Sequence, residues 1–336
     1  MADAVSVSKG QKEKASLLSK IMKQRETGVF LVLVLLCVVM GFASPYFWKP
    51  QNIFNILRNM STIGIISIGM TMIIITAGID LSVGSMVGAT GMVTARLMYM
   101  GMNPLLAVVL GFAFGFFLGA VNGLMITRVK IPPFIATLGM MSVARGLTYF
   151  FATGIKGAVA SNIPLANSAV GFMGGGYIGP IPFPVIEMVV LVLVFQWFLS
   201  NTVTGRQIYA VGSNAEAARL SGVNSDRIQI FVYTLTGGFC AMSGIISAGL
   251  LSTAATNAGT GTEMDVIAAV VIGGASLSGG EGSIRGAVVG AAIMAVIKNA
   301  FVLLHLPAFV QTITLGVVVV LAVASDGLRK KGQPGK

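Results

Sequence analysis

The sequence predicts an all-α protein: a polytopic membrane helix bundle of about ten transmembrane helices with both termini in the cytoplasm. Only 10% of its 336 residues are charged and 55% are hydrophobic, whereas a soluble domain carries about 25% charged residues. Apolar runs recur at the length of roughly 20 residues that a spanning helix needs. Between two of these runs lies Asp80, a carboxylate that is costly inside a bilayer unless it is paired, hydrated or used.

Charge and cysteine content exclude several classes of protein. The formal net charge is +11, but the basic residues lie between apolar runs and form no single basic tract, so no nucleic-acid partner is expected. Cys37 and Cys240 both lie within apolar runs and are predicted to be core residues, neither a disulfide nor a metal pair. The expected surroundings of the chain are those of a lipid bilayer.

The chain divides into an arm, a membrane domain and a tail. Residues 1–27 are polar and basic and lack the apolar stretch and cleavage site of a removable signal peptide, so they are predicted to remain as a cytoplasmic arm. Residues 28–328 form the membrane domain, and 329–336 form a cytoplasmic tail. The ten predicted spans are 28–44, 60–79, 82–99, 104–126, 133–152, 184–200, 228–251, 263–280, 284–304 and 308–325.

The loops set the orientation of these spans. With the N-terminus inside, cytoplasmic lysines and arginines outnumber external ones about four to one, as the positive-inside rule requires. Residues 153–183 then form an external loop rich in Gly and Pro, and residues 201–227 form an internal loop with three arginines. Between the second and third spans, the stretch from Gly78 to Ser85 predicts either a tight turn or a helix unwound inside the membrane.

Four glycines of the fourth span recur every four residues, which places them on one helix face. Where side chains are absent, another helix can approach closely. The pattern predicts a tight helix contact and indicates no chemistry. The glycines are Gly111, Gly115, Gly119 and Gly123.

Asp80, followed by Ser82 and Ser85, is the first candidate functional residue. Its carboxylate could cap the next helix or fix the turn, since Asp is a preferred N-cap residue. It could instead line a polar path through the bundle, or act at a gate near the cytoplasmic side. The sequence leaves these roles open.

Other polar residues lie at or inside the predicted spans. Glu263 and Asp265 begin the eighth span; carboxylates two residues apart point in different directions on a helix, so they form no acid–base or metal pair. They either stabilise the helix start or act at the external mouth. Arg145 lies well inside the fifth span and is expected to pair with one of these acids. Further candidates for a polar path, which could equally bond helices together, are Asn122, Thr137, Asn257 and Gln311.

The internal loop contains a short predicted helix. Asn214 is a suitable N-cap and Gly222 a suitable stop, which leaves one or two helical turns between them. An isolated helix of this length is unstable in water. Unless the segment is only a surface turn, it packs against the bundle or against a partner protein.

Motifs of covalent and metal chemistry are absent from the sequence. It contains no GxxxxGK[ST], no HExxH and no cysteine–histidine metal spacing. The chain is therefore predicted not to be an enzyme, and no catalytic residue and no metal ligand are assigned.

Four long segments form a distinctive set: ITAGIDLSVGS, PPFIATLGMMSVARG, TGRQIYAVGSNAEAARLSGVN and GTGTEMDVIAAVVIGGASLSGGEGSIRG. In this order they resemble the ribose-type sugar permeases of bacterial ABC importers. The similarity extends over about residues 28–328. It is specific for the family and much less specific for the sugar.

The resemblance implies a monosaccharide permease of the bacterial inner membrane, with the translocation path between the two copies of a homodimer. A periplasmic sugar-binding protein would deliver the substrate. A separate cytoplasmic ATPase would hold ATP and Mg, so this chain would bind no cofactor itself. The short helix resembles the coupling helix that docks on the ATPase, and its residues would be Asn214, Ala215, Glu216, Ala217, Arg219, Leu220 and Gly222.

Three other functions remain open at this point. A permease for branched-chain amino acids or nucleosides belongs to the same superfamily, and a ligand screen on the cognate binding protein would identify it. A proton- or sodium-coupled secondary transporter would use Asp80 or Glu263, and an uncoupler would abolish its uptake. A passive channel or scaffold would show no concentrative uptake.

Overall fold

The computed structural model describes residues 25–153, 162–165 and 168–331, and this part of the chain is mostly helical. Most of the predicted N-terminal arm and the end of the predicted tail lie outside the described residues. The helices are α1 Arg25–Ala43, α2 Pro50–Ile75, α3 Val83–Tyr99, α4 Pro104–Thr127, α5 Pro133–Ala152, α6 Ser168–Gly175, α7 Phe183–Asn201, α8 Val203–Ser213, α9 Ala215–Leu220, α10 Ser225–Leu251, α11 Thr262–Ile272, α12 Ile284–Leu303 and α13 Ala308–Lys331. The strands are β1 Asn162–Pro164, β2 Tyr177–Ile178, β3 Ile181–Pro182 and β4 Thr253–Ala255.

Each of the ten predicted spans overlaps one of these helices. Among the described residues, six helices are long and apolar enough to cross a membrane: α2, α4, α5, α7, α10 and α12. Shorter apolar stretches occur in α1 and α13. A multi-pass helical bundle is therefore confirmed, while the number of ten crossings stays a prediction.

The eighth predicted span is only partly helical. It was expected to cover residues 263–280, but α11 ends at Ile272, and 273–283 form a loop that we call the glycine loop. Eleven helical residues extend about 17 Å, roughly half of the hydrocarbon core. The glycines of this loop explain the difference, because Gly274, Gly279 and Gly280 adopt positive φ values that a helix does not contain. Hydropathy alone does not detect such a break.

A second interruption separates α2 from α3. Residues 76–82, which we call the break, are non-helical, and Ala77 within them has φ of +59°. The prediction of a turn or an unwound helix near Gly78 is thus correct in kind, although the break begins two residues earlier. Helix α2 also begins at Pro50, ten residues before the predicted start at 60.

The two halves of the bundle are built on one plan. Helices α2, α3, α4 and α5 correspond in this order to α10, α11, α12 and α13. The contact between α2 and α12 is therefore equivalent to the contact between α10 and α4. In the same way, the contacts of α3 with α10 and with α5 are equivalent to those of α11 with α2 and with α13. The register is a shift of 175 residues, because non-glycine residues with positive φ recur at that spacing, from Ala77 to Ser252 and from Lys130 to His305. In the same register IPPFIAT before and within α5 recurs as LPAFVQT before and within α13.

These two repeats run in opposite directions through the bundle. Lys130, which follows α4, forms an ion pair with Asp226 at the start of α10. Its equivalent His305 follows α12, whose last turn lines a pocket together with Leu250 at the other end of α10. We call the end that carries residues 201–227 the connector end, and the opposite end the far end.

The core lies around α2, α10 and α12. In their apolar windows 78%, 67% and 61% of the residues are buried inside the bundle, against 17% in α7. Much of the apolar surface of α7 is therefore left for lipid, in agreement with a bilayer environment.

The four glycines of α4 lie mainly at its contact with α10. A Cβ at Gly115 would lie 2.5 Å from the carbonyl oxygen of Gly237, and one at Gly123 would lie 2.7 Å from the Cα of Ile230. Gly119 approaches the backbone of α10 equally closely, whereas Gly111 faces α3. The two backbones meet directly, as the small-residue pattern predicts.

Candidate functional site

Asp80 lies in a buried polar cluster inside the break. Its Oδ1 accepts hydrogen bonds from the backbone N–H of Ser82 at 2.8 Å and from the Ser82 hydroxyl at 2.5 Å. The Asn122 side chain donates to Ser82 Oγ at 2.9 Å and to Asp80 Oδ2 at 3.5 Å. All three residues are almost completely buried. The structure thus brings together three of the residues that the sequence selects for a polar path.

The hydrogen bonds of Asp80 define its structural role. The bond to the N–H two residues later is an Asx turn, and the N-cap of α3 is Ser82, whose own side chain caps no amide. Asp80 therefore fixes the turn that precedes α3 and does not cap the helix itself. Ser85 is buried on the first turn of that helix.

Two hydroxyl groups hold the carbonyl oxygen of Ile79 beside Asp80. Tyr233 Oη donates to it at 3.2 Å and Thr137 Oγ1 approaches it at 3.5 Å. Thr137 was a predicted candidate, whereas Tyr233 was missed, because a tyrosine within an apolar run gives no sequence signal of its own. These contacts connect the break to α5 and α10.

Arg145 forms no direct ion pair among the described residues, although Glu263, one of its two predicted partners, lies near enough to interact with it electrostatically. Its Nη1 donates to the backbone carbonyls of Thr256 at 3.0 Å and Ala258 at 2.9 Å, on either side of Asn257. The segment between β4 and α11, residues 256–261, is a series of turns, and the guanidinium binds two of its carbonyl oxygens. Arg145 and Asn257 are therefore neighbours in a second polar cluster.

Glu263 packs against the first turn of α3. Its Oε2 is so close to Gly84 that a Cβ there would overlap it, and Gly84 belongs to the first turn of α3. The other end of α3, at Tyr99, is about 22 Å away at 1.5 Å per residue. Glu263 consequently lies well away from the Tyr99 end of α3, and its action at an external mouth stays a prediction.

Asp265 forms a buried ion pair with Lys298 of α12. Asp265 is 2% exposed and Lys298 is 30% exposed, and the second carboxylate oxygen, Oδ1, has no partner. Because the two residues lie on adjacent helices, the pair joins α11 to α12. Lys298 could have been found from the sequence, because it is a positive charge inside the predicted span 284–304, which follows the span that contains the negative charge of Asp265.

Helix α9 at the connector end has the predicted cap and an exposed surface. Asn214 Oδ1 accepts from the Ala217 N–H at 2.9 Å. Arg219 donates two hydrogen bonds to Glu216, at 3.0 and 2.6 Å, and this contact lowers the pKa of Glu216. Leu220 is 76% exposed. Such a large apolar side chain, exposed on a short helix outside the spans, offers apolar surface for contact with another protein.

Helix α8 connects α9 to both non-helical segments of the bundle. A Cβ at Gly212 would overlap the carbonyl oxygen of Ile75 at the end of α2 and would lie 2.7 Å from the backbone nitrogen of Gly280. That nitrogen donates to the same Ile75 carbonyl at 2.8 Å, and Tyr209 Oη donates to the carbonyl of Gly282 at 2.8 Å. The last turn of α8 therefore touches the start of the break and the glycine loop at once.

Comparison with known proteins identifies the family. A family model described as branched-chain amino acid transport system / permease component matches residues 52–323. The ribose import permease protein RbsC of Escherichia coli (strain K12) is 40% identical over 312 residues, which cover 92% of this chain and 95% of that protein. The RbsC protein of Bacillus subtilis (strain 168) is 40% identical over 309 residues, covering 91% and 94%.

A relative named for a different sugar is similar over the same length. The D-allose transport system permease protein AlsC of Escherichia coli (strain K12) is 36% identical over 308 residues, covering 90% of this chain and 92% of that protein. Sequence, helical bundle and relatives agree, and the chain belongs to the permease family of bacterial ABC importers, as a multi-pass inner-membrane protein of the ribose type.

Proposed function

We propose that this chain is the permease subunit of an ATP-driven importer for a monosaccharide, that is, a pentose, a hexose or a related polyol. The observation that carries the proposal is the exposed α9, joined through α8 to the break that holds Asp80. Because α9 is exposed and α8 packs against the broken helices, the two together can transmit movement from a partner protein to the bundle. The similarity to ribose and D-allose permeases supports the sugar as cargo.

In this mechanism the energy source lies on another chain. A cytoplasmic ABC ATPase binds ATP with Mg and contacts α9, with Ala217 and Leu220 in apolar contact and Glu216 and Arg219 setting the register. Movement of α9 shifts α8, and the last turn of α8, which contains Gly212, then displaces the break and the glycine loop together. Because the permease contains no reacting group in this scheme, we assign it no catalytic residue and no cofactor.

The remaining partners follow from the same proposal. Two copies of the chain form the path between them, both termini and the connector end face the cytoplasm, and a periplasmic binding protein delivers the sugar to the far end. Residues of the polar clusters contribute weak polar contacts or support the path. They are Asp80, Ser82, Ser85, Asn122, Thr137, Arg145, Asn257, Glu263 and Asp265.

The test is uptake of labelled D-ribose and D-allose into proteoliposomes that hold this chain, its ATPase and its binding protein, with and without internal ATP. Accumulation that requires both ATP and the binding protein is the expected result. Accumulation that persists without ATP and collapses with an uncoupler would contradict the proposal.

Two further functions keep specific support and are decided by the same preparation. The description of the matching family names branched-chain amino acids, so leucine and a nucleoside belong among the tested ligands. Asp80 is buried, and among the described residues no basic side chain forms an ion pair with it. An ion-coupled transporter would use such a group, and only uptake driven by an ion gradient would favour it.

A further inference from the structure

A polar pocket opens at the far end between α2, α12 and α13. Its volume is about 410 Å³, within the range of roughly 300–1,000 Å³ that is typical of small-molecule sites. The lining is dominated by side-chain amides, namely Asn52, Asn55, Asn59, Asn299 and Gln311. None of these residues belongs to the clusters around Asp80 and Arg145.

We infer that this pocket binds a monosaccharide through its hydroxyl groups before the sugar enters the path. The inference rests on the proposed function and names where the sugar is first held. An amide side chain offers both donors and acceptors, and a sugar hydroxyl is likewise donor and acceptor. Five amides around one cavity therefore match a polyhydroxylated ligand.

One wall of the pocket is held in place by hydrogen bonds between two of its amides. Asn52 donates to Asn299 Oδ1 at 3.1 Å, and Asn299 donates to Asn52 Oδ1 at 2.7 Å. The reciprocal pair joins α2 to α12 and fixes one wall. Asn59 and Gln311 make no side-chain hydrogen bond within the described residues, so their amides are available to a ligand.

The charges at the pocket disfavour a cation and suit a ligand that accepts hydrogen bonds, because Arg58 has no acidic partner there among the described residues. Lys298 lines the pocket, but its charge is balanced by Asp265. Arg58 donates to the hydroxyl of Tyr177 and to Asn55 Oδ1, and its Nε is buried without a partner. No carboxylate lines the pocket, which makes it unsuitable for a cation.

The position of the pocket suits entry of a substrate. It includes Leu250 near the end of α10, a helix of 27 residues whose start follows the connector. At 1.5 Å per residue the pocket lies about 40 Å from the connector end. It is therefore on the face opposite the proposed ATPase contact, where the binding protein would release its sugar.

The experiment measures binding of D-ribose and D-allose to the permease in lipid nanodiscs, without binding protein, by titrated saturation-transfer NMR. The variant Asn59→Leu/Gln311→Leu removes the two free amides at nearly constant volume. The matched control is Gln51→Leu, an exposed amide on α2 that does not line the pocket. We expect the double variant to bind about tenfold more weakly than the wild type, and the control to bind equally well.

Stimulation of the ATPase by the loaded binding protein checks that the double variant still folds and assembles. Unchanged sugar affinity in the double variant would overturn the inference. It would also be overturned if the wild type bound neither sugar although the full complex imported one of them. The complex could import no sugar although the wild type binds sugar more tightly than the double variant. In that case the proposed function fails and the inference that the pocket binds sugar is upheld.

Discussion

At Asp80, shape and charge can be separated by two substitutions. Asp80→Ala removes the acceptor of the Ser82 amide and leaves buried donors unpaired, so we expect a loss of about 1–3 kcal/mol in stability. Asp80→Asn keeps the acceptor at Oδ1 and loses only the long contact from Asn122 to Oδ2, so it should retain most of the stability and of ATP-driven uptake. Thermal unfolding in detergent and uptake by the assembled importer measure the two effects. Loss of uptake in a stable Asp80→Asn protein would favour an ion-coupled role.

The ion pair of Asp265 and Lys298 predicts a non-additive pair of substitutions. Lys298→Met leaves a buried carboxylate without its counter-charge and should destabilise the protein by up to about 3–5 kcal/mol. Asp265→Leu added to it removes the stranded charge, and the double variant should recover most of that loss. Melting temperatures of the two single variants and the double variant complete the cycle. Additive losses would show that the pair contributes little.

At the scale of elements, Gly212 predicts uncoupling of ATP hydrolysis from transport. A methyl group there overlaps the Ile75 carbonyl, so Gly212→Ala must displace the end of α8 from the break and the glycine loop. We expect uptake to fall at least about tenfold, a barrier change of roughly 1.4 kcal/mol, while ATP hydrolysis continues. The control is Gly171→Ala in α6, whose Cβ would meet no atom within 4 Å. Equal uptake by both variants would contradict the relay through α8.

Helix α9 predicts a separate defect, in assembly. Leu220→Asp places a charge on its exposed apolar surface, and co-purification of the ATPase should fall. Val203→Asp makes the same change at a residue of α8 that is also largely exposed, and it should leave the complex intact. If both variants hold the ATPase as the wild type does, α9 is not the contact.

Elements differ in how far their sequence predicts them. The short helix α9 is predictable because its cap Asn214 lies within the segment that it caps. The partial helix α11 is not, since an apolar run that contains glycines has the hydropathy of a full span. The contacts of Arg145 and Glu263 are hidden for the same reason, because the distant turn carbonyls that bind Arg145 and the close approach of Glu263 to Gly84 depend on tertiary packing alone.

For the whole molecule, the inverted repeat predicts that equivalent residues are accessible from opposite sides of the membrane. In a variant that lacks Cys37 and Cys240, Lys130→Cys should react with an impermeant thiol reagent from the cytoplasmic side only. His305→Cys, its repeat equivalent, should react from the periplasmic side only. Labelling of whole cells and of inverted vesicles gives the two measurements. Reaction of both from one side would refute the assigned orientation.

The repeat was present in the sequence but too faint to establish. Only IPPFIAT and LPAFVQT agree at several positions, and seven residues recur by chance too readily in an apolar chain. The backbone angles at Ala77, Ser252, Lys130 and His305 provide the register, and they are a property of the folded chain. Fold class and family were therefore predictable, whereas internal symmetry was not.

The exposed leucine of α9 has a consequence for the life of the protein in the cell. A subunit synthesised without its ATPase would present Leu220 to the cytosol, where quality-control proteases recognise exposed apolar residues. We expect the orphan permease to be degraded faster than the assembled one, and Leu220→Ser to lengthen its half-life in a pulse-chase experiment. Balanced synthesis of the two subunits would then determine how much importer a cell keeps.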